Sequence, residues 1–148
     1  MLEMPRNPFR ELIGAQVLRV ERGRAVVRMP ADDRLHNSAA TVHGGAICTL
    51  ADAAIATALR SALMPGDLAS TIEMKVNFLA PARGDLDAHA RAIHVGGATA
   101  VGEADVLDAE GRLVAKAIAT FHVRRGAGPV RPGARTAMDP DVDGPEPA

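Results

Sequence analysis

Apolar and polar positions along the chain fall into two periods. Residues 15–30, AQVLRVERGRAVVRMP, alternate on both sides of Glu21-Arg22-Gly23, which predicts a β-hairpin with one buried face. The same period of two returns in LASTIEMKVNFLAPA (68–82, closed by Pro81), in GDLDAHARAIHV (84–95) and in residues 98–123, whose two strands flank the turn Asp108-Ala109-Glu110-Gly111. Between the first hairpin and these strands the pattern changes. HGGAICTLADAAIATALRSAL, from His43 to Leu63, is apolar on nearly every face and predicts a helix buried all round. A short helix is predicted over FRELIGA, with Asn7 as cap and Pro8 at its first position. Residues 31–42 read as a polar loop leading into the long helix, and Pro65-Gly66-Asp67 as the turn that follows it. Sequential hairpins around one apolar helix predict an α+β domain, an antiparallel sheet curled about the helix.

The helix carries the candidate chemistry. Asp52 is a lone carboxylate among apolar residues, a costly placement unless it is paired or used. His43-Gly44-Gly45 gives the helix a start without side chains, where unpaired N–H groups and the positive end of the dipole can face a polarised oxygen. Gly44 and Asp52 are eight residues apart, roughly 12 Å of helical rise. Two groups acting on one carbonyl must each come within about 3 Å of it. If both serve one substrate, Gly44 of one subunit has to face Asp52 of another, which predicts a homodimer with shared sites.

Composition narrows the function classes. A chain of 148 residues, 47% hydrophobic, is long enough for one domain with a sizeable core, assigned to residues 1–125. Residues 126–148 are rich in Gly, Pro and Asp without apolar period and are expected to be a disordered tail. A net charge of −1 and only three aromatics, Phe9, Phe78 and Phe121, give no basic or stacking surface for nucleic acid. The longest apolar run is too short for a membrane span and is broken by Asp52. MLEMPRNPFREL lacks a signal peptide's apolar segment, and one cysteine fits a reducing cytoplasm. The five histidines have no metal-site spacing, and no GxSxG elbow, P-loop or GxGxxG occurs.

Asn37, His43-Gly44-Gly45 and Leu50-Ala51-Asp52, followed by NFLAPARGDL and GRLVAKAIATF, resemble the hot-dog-fold acyl-coenzyme A (CoA) thioesterases of the PaaI-like, phenylacetate-pathway type. The resemblance covers roughly residues 8–125 and implies roles at the matched positions. Gly44 supplies the N–H that polarises the thioester carbonyl. Asp52 of the neighbouring subunit is nucleophile or base. Asn37 holds the thioester or attacking water, His43 braces the helix start, and Thr71 brings a hydroxyl near the water, with Ser70 adjacent. The resemblance also implies an acyl-CoA substrate, no metal or bound cofactor (CoA arrives with the substrate), and a dimer or dimer of dimers. Two departures stand out. Relatives have a glycine between the Asn and HGG, where this chain has Ala39-Ala40, and basic residues after the third strand's glycine, where it has Gly96-Gly97-Ala98. Candidates for the CoA contacts are Gly45, Gly96, Gly97 and Arg83, with Arg91 and Lys75 as further options.

Each residue also has a plain structural reading. Asp52 can be a buried acid paired with an arginine at a subunit contact, and the glycines can serve close helix–sheet packing. Asn37 can cap its own loop, His43 can be a hydrogen-bonded structural residue, and Cys48 can be a small core residue rather than a thiol of lowered pKa. Two other functions share these features: a non-catalytic acyl-CoA sensing or carrier module, which has no need of a buried carboxylate, and a hot-dog hydratase or dehydratase, which wants a His beside an acid at the reacting carbon.

Overall fold

A computed structural model describes residues 6–126. The chain runs α1 (Pro8–Leu12), β1 (Gln16–Glu21), β2 (Arg24–Met29), a 3₁₀ turn (Asp33–Leu35), α2 (Gly44–Ala62), β3 (Leu68–Phe78), β4 (Leu86–Val95), β5 (Thr99–Leu107) and β6 (Leu113–Arg124). The elements predicted from periodicity are all present, and Asn7 caps α1 by accepting a hydrogen bond from the Arg10 N–H at 3.0 Å. The expected tail lies outside the described residues except for Gly126, whose N–H donates to Asp67 Oδ1 at 3.0 Å.

The six strands form one antiparallel sheet in the order β1-β2-β4-β5-β6-β3. This corrects the expectation of strictly sequential hairpins. α2 carries the chain across the inner face, so β3 emerges at the far edge beside β6. The connection after Phe78 then returns beneath the start of α2, where Ala82 accepts from the Val42 N–H at 2.9 Å, and β4 enters beside β2. Only β4, β5 and β6 form a meander.

Alternation places Ala25, Val27 and Met29 of β2, Leu86, Ala88 and Ala90 of β4, and Ala115, Ala117, Ala119 and Phe121 of β6 in one core with Ile47, Leu50, Ala51, Ala54, Ile55, Ala58 and Leu59 of α2. Small inward residues let the helix lie close to the sheet. Gly102 of β5 is the tightest point: a Cβ there would stand 2.7 Å from Ile55 Cγ2. A single sheet covers only one side of a helix. Burial all round is therefore not met in one chain, and Cys48, Asp52, Ala53 and Ala56 are half-buried along an uncovered flank.

Candidate active site

The start of α2 is built by its own cap. His43 is extended (φ −61°, ψ 136°), and its Nδ1 accepts from the Gly45 N–H at 2.8 Å. The His43 carbonyl accepts from the Ala46 and Ile47 N–H groups at 2.9 and 3.2 Å. Of the first-turn amides, Gly44 N–H alone has no partner among the described residues. It is therefore the amide available to an oxyanion. The Gly45 amide is occupied, so of the glycine amides expected to meet CoA this one is not free. His43 serves here as a capping residue.

Asp52 lies two turns further along α2 and is only partly buried in the single protomer. This corrects the expectation of a buried acid. Its Oδ1 accepts from Thr71 Oγ1 at 2.8 Å, and no cation pairs with it among the described residues. Thr71 reaches it because of a β-bulge. The β3–β6 register shifts between Thr71 and Glu73, so Thr71 pairs with Phe121 and Met74 with Ala119. Thr71, Met74, Val76 and Phe78 therefore share the helix side of the sheet, a face that strict alternation would deny to Thr71. Ser70, adjacent, pairs with His122 instead.

Asn37 organises the loop before the helix. Its Oδ1 accepts from the Ala39 and Thr41 N–H groups at 2.9 and 3.2 Å, and its Nδ2 donates to Thr41 Oγ1 at 2.9 Å. That is the loop-capping arrangement. It places Ala40 at φ 55°, a left-handed position that glycine adopts more readily than alanine. Arg83 Nη1 donates to the Ala40 carbonyl at 3.1 Å, so this CoA-contact candidate braces the Asn37 loop. Gly96 and Gly97 form the β4–β5 turn. Their carbonyls accept from Arg125, whose Nη1 also binds Asp67 just beyond the end of α2. They are thus at the opposite end of the helix from Gly44. Arg91 pairs with Glu103.

Sequence reasoning missed one neighbour of the site. The Phe78 ring lies against Gly44: Cζ, Cε1 and Cε2 are 3.2, 3.4 and 3.8 Å from the place a Gly44 Cβ would occupy. The alternation of Met74, Val76 and Phe78 was the signal available for it. Cys48, partly buried between Gly44 and Asp52 in sequence, has its thiol pushed up by burial, in keeping with a small packing residue rather than a reactive thiol. Among the described residues no group of three His, Cys, Asp or Glu could hold a metal ion, and no helix is long and apolar enough to cross a membrane.

Comparison with known proteins gives the family. Residues 2–123 match the family described as "Domain of unknown function (DUF4442)". The 1,4-dihydroxy-2-naphthoyl-CoA hydrolase of Listeria monocytogenes is 30% identical over 79% of this chain and 96% of its own length. The chain belongs to the hot-dog thioesterase family. A thioesterase family protein from Silicibacter pomeroyi superposes on this thioesterase with a TM-score of 0.76 and 28% identity, over 79% of this chain and 89% of the other. PaaI of the Escherichia coli phenylacetic acid degradation operon does so with a TM-score of 0.73 and 27% identity, over 78% and 83% of the two chains. This thioesterase is a thioester hydrolase by kinship, with the α+β hot-dog fold of its neighbours.

Proposed function

We propose that the protein hydrolyses an acyl- or aryl-acyl-CoA thioester to the free acid and CoA, at a site shared between two protomers. The Gly44 N–H of one protomer polarises the thioester carbonyl, and Asp52 of the other supplies the attacking oxygen, its own or that of a water. Thr71 Oγ–H holds Asp52 Oδ1 and so fixes the carboxylate, leaving Oδ2 for the attack. The observation that carries the reading is the Gly44 N–H, open among the described residues, with the Asp52 carboxylate, held by Thr71 and facing no cation among those residues, two turns along the helix.

A thioester suits so small a constellation. Its carbonyl is electrophilic and its thiolate leaves readily, so one oriented donor and one carboxylate suffice. An oxyanion donor lowers the barrier by about 3 to 4 kcal/mol. Two further features support the dimer. β3 is an edge strand with Ile72 more than half exposed, and Leu79 just beyond its end is equally open. The flank of α2 that carries Asp52 is also left uncovered by the protomer's own sheet.

No cofactor is needed beyond the CoA carried by the substrate. Contacts to CoA through Gly96 and Gly97 would come from the protomer opposite the Gly44 in use. A single free thiol suits a reducing cytoplasm, the compartment proposed for the reaction. Thiol release from a panel of acyl-CoA substrates tests the proposal: wild type is active and Asp52→Asn is not. Binding without turnover in both proteins would favour a sensor, and loss of enoyl absorbance without thiol release would favour a hydratase.

A further inference from the structure

The short helix α1 turns its charge inward and its apolar side chains out. Phe9 and Leu12 are 59% and 71% exposed, whereas Arg10 between them is partly buried. Its neighbour across the helix contact is a second arginine. Arg60, in the last turn of α2, is also partly buried; burial first, and then the Arg10 charge, lower the pKa of its guanidinium from the ordinary value. Among the described residues neither arginine has a carboxylate within ion-pair distance. The acids that follow them in the chain are committed elsewhere, Glu11 to Arg6 and Asp67 to Arg125. Two adjacent cations drawn partly out of water, while a phenylalanine and a leucine stay in it, leave a demand for an anion that these residues do not meet.

The place of the pair says which anion. Arg60 stands one turn beyond Ala56 on the flank of α2 that carries Asp52. Asp52 and Arg60 are eight residues apart, roughly 12 Å of helical rise. The flank between them is formed by Ala53 and Ala56, which leave room for a chain lying along it. In a CoA thioester the pantetheine arm separates the sulfur from the first phosphate by about the length of four or five extended residues, roughly 15 Å. A thioester held at Asp52 therefore brings its phosphates level with Arg60. The β4–β5 turn at the same end of the helix supplies no cation of its own: it reads Gly96-Gly97-Ala98, and the nearby Arg125 is bound to Asp67 and to the Gly96 and Gly97 carbonyls. We infer that Arg10 and Arg60, on the protomer that supplies Asp52, form the site that holds the phosphates of the CoA half of the substrate. This rests on the hydrolase reading above and names what anchors the leaving group at the same site.

The test puts one acyl group on two thiols, hexanoyl-CoA and hexanoyl-pantetheine, which lacks the phosphates, and compares kcat/KM in wild type, Arg10→Met, Arg60→Met and Arg60→Lys. Methionine keeps much of the apolar stem and removes the charge. Each methionine variant should lower the CoA-to-pantetheine ratio about tenfold or more, the scale of one charged hydrogen bond, through KM rather than kcat. Arg60→Lys should recover part of the loss. Desulfo-CoA should compete with hexanoyl-CoA far better than inorganic phosphate does, which separates the CoA phosphates from a free anion as the ligand. An unchanged ratio would overturn the phosphate site. So would a lighter particle in sedimentation of Arg60→Met, which would make a carboxylate of the partner subunit the missing counter-ion. A wild type inactive on both thioesters would remove the hydrolase reading alone. Calorimetry would then still decide the site: desulfo-CoA binding that is lost in Arg60→Met supports it, and binding of equal strength in both proteins overturns it.

Discussion

Ala40 offers a measurement of strain at the loop that leads into the site. Its φ of 55° puts an L-residue in the left-handed region, and the conformation is imposed from outside. The Ala40 N–H donates to the Asn37 carbonyl at 3.0 Å, the Asn37 side chain fixes the residues on either side, and Arg83 holds the Ala40 carbonyl at 3.1 Å. A Cβ in that conformation costs about 1–2 kcal/mol. Glycine would relieve it but would lose roughly 0.5–1 kcal/mol through its greater freedom in the unfolded chain. Ala40→Gly should therefore stabilise the protein by about 0.5–1 kcal/mol, a rise in Tm of about 2–4 °C for a domain of this size. Thermal unfolding followed by circular dichroism reads the shift. Arg83→Ala, which removes the brace without relieving the strain, should move Tm the other way. An Ala40→Gly protein that melts at or below the wild-type temperature would refute the reasoning.

Other expectations follow from the same geometry. Thr71→Val keeps the shape of β3 and removes the hydroxyl on Asp52, so kcat should fall about tenfold or more with Tm nearly unchanged; full activity in Thr71→Val would mean the hydrogen bond is incidental. Gly102→Ala would drive a methyl to within 2.7 Å of Ile55 Cγ2, and denaturant titration should show a loss of about 1–3 kcal/mol. Acid stability should reflect Asp67 and Asp108. The Gly126 N–H and the Arg125 guanidinium hold the Asp67 carboxyl below its ordinary value of 3.8, and the Arg112 N–H and guanidinium do the same for Asp108. A carboxyl depressed by folding stabilises fully above its unfolded pKa and loses that contribution as pH falls through the lower folded value. The denaturant midpoint should stay level on this account from pH 7 to about 5 and decline below about 4, with a shallower decline in Asp67→Asn.

The sequence made the elements legible because each buries one face, and period two or an apolar run records that burial directly. The helix start was legible too, since His43-Gly44-Gly45 is a local signal and His43 caps the turn it begins. Strand order was not. The place of β3 beside β6 depends on where α2 delivers the chain, and no local pattern encodes that. Thr71 shows the limit most clearly. Alternation along residues 72–78 assigns the odd positions to the outer face, and only the bulge before Glu73 returns Thr71 to the helix side. Burial of Asp52 was overestimated because an apolar helix signals burial without saying whether its own sheet or another copy provides it. The Ala39-Ala40 departure was visible as a missing glycine, whereas its consequence, a left-handed alanine braced by Arg83, needed the loop's hydrogen bonds.

The shared site is tested most directly by mixing two inactive variants. Gly44→Pro removes the open N–H at the first helical position, where proline's fixed φ is compatible with the helix and the half-exposed Phe78 ring need yield only a few tenths of an ångström. Asp52→Asn removes the acid. Each variant alone should hydrolyse no acyl-CoA. After subunit exchange, each mixed dimer regains one intact site, so statistical mixing should restore about a quarter of wild-type activity. Exchange confirmed by mass spectrometry without any recovery of thiol release would contradict the claim that one protomer's amide and its partner's carboxylate act on the same thioester.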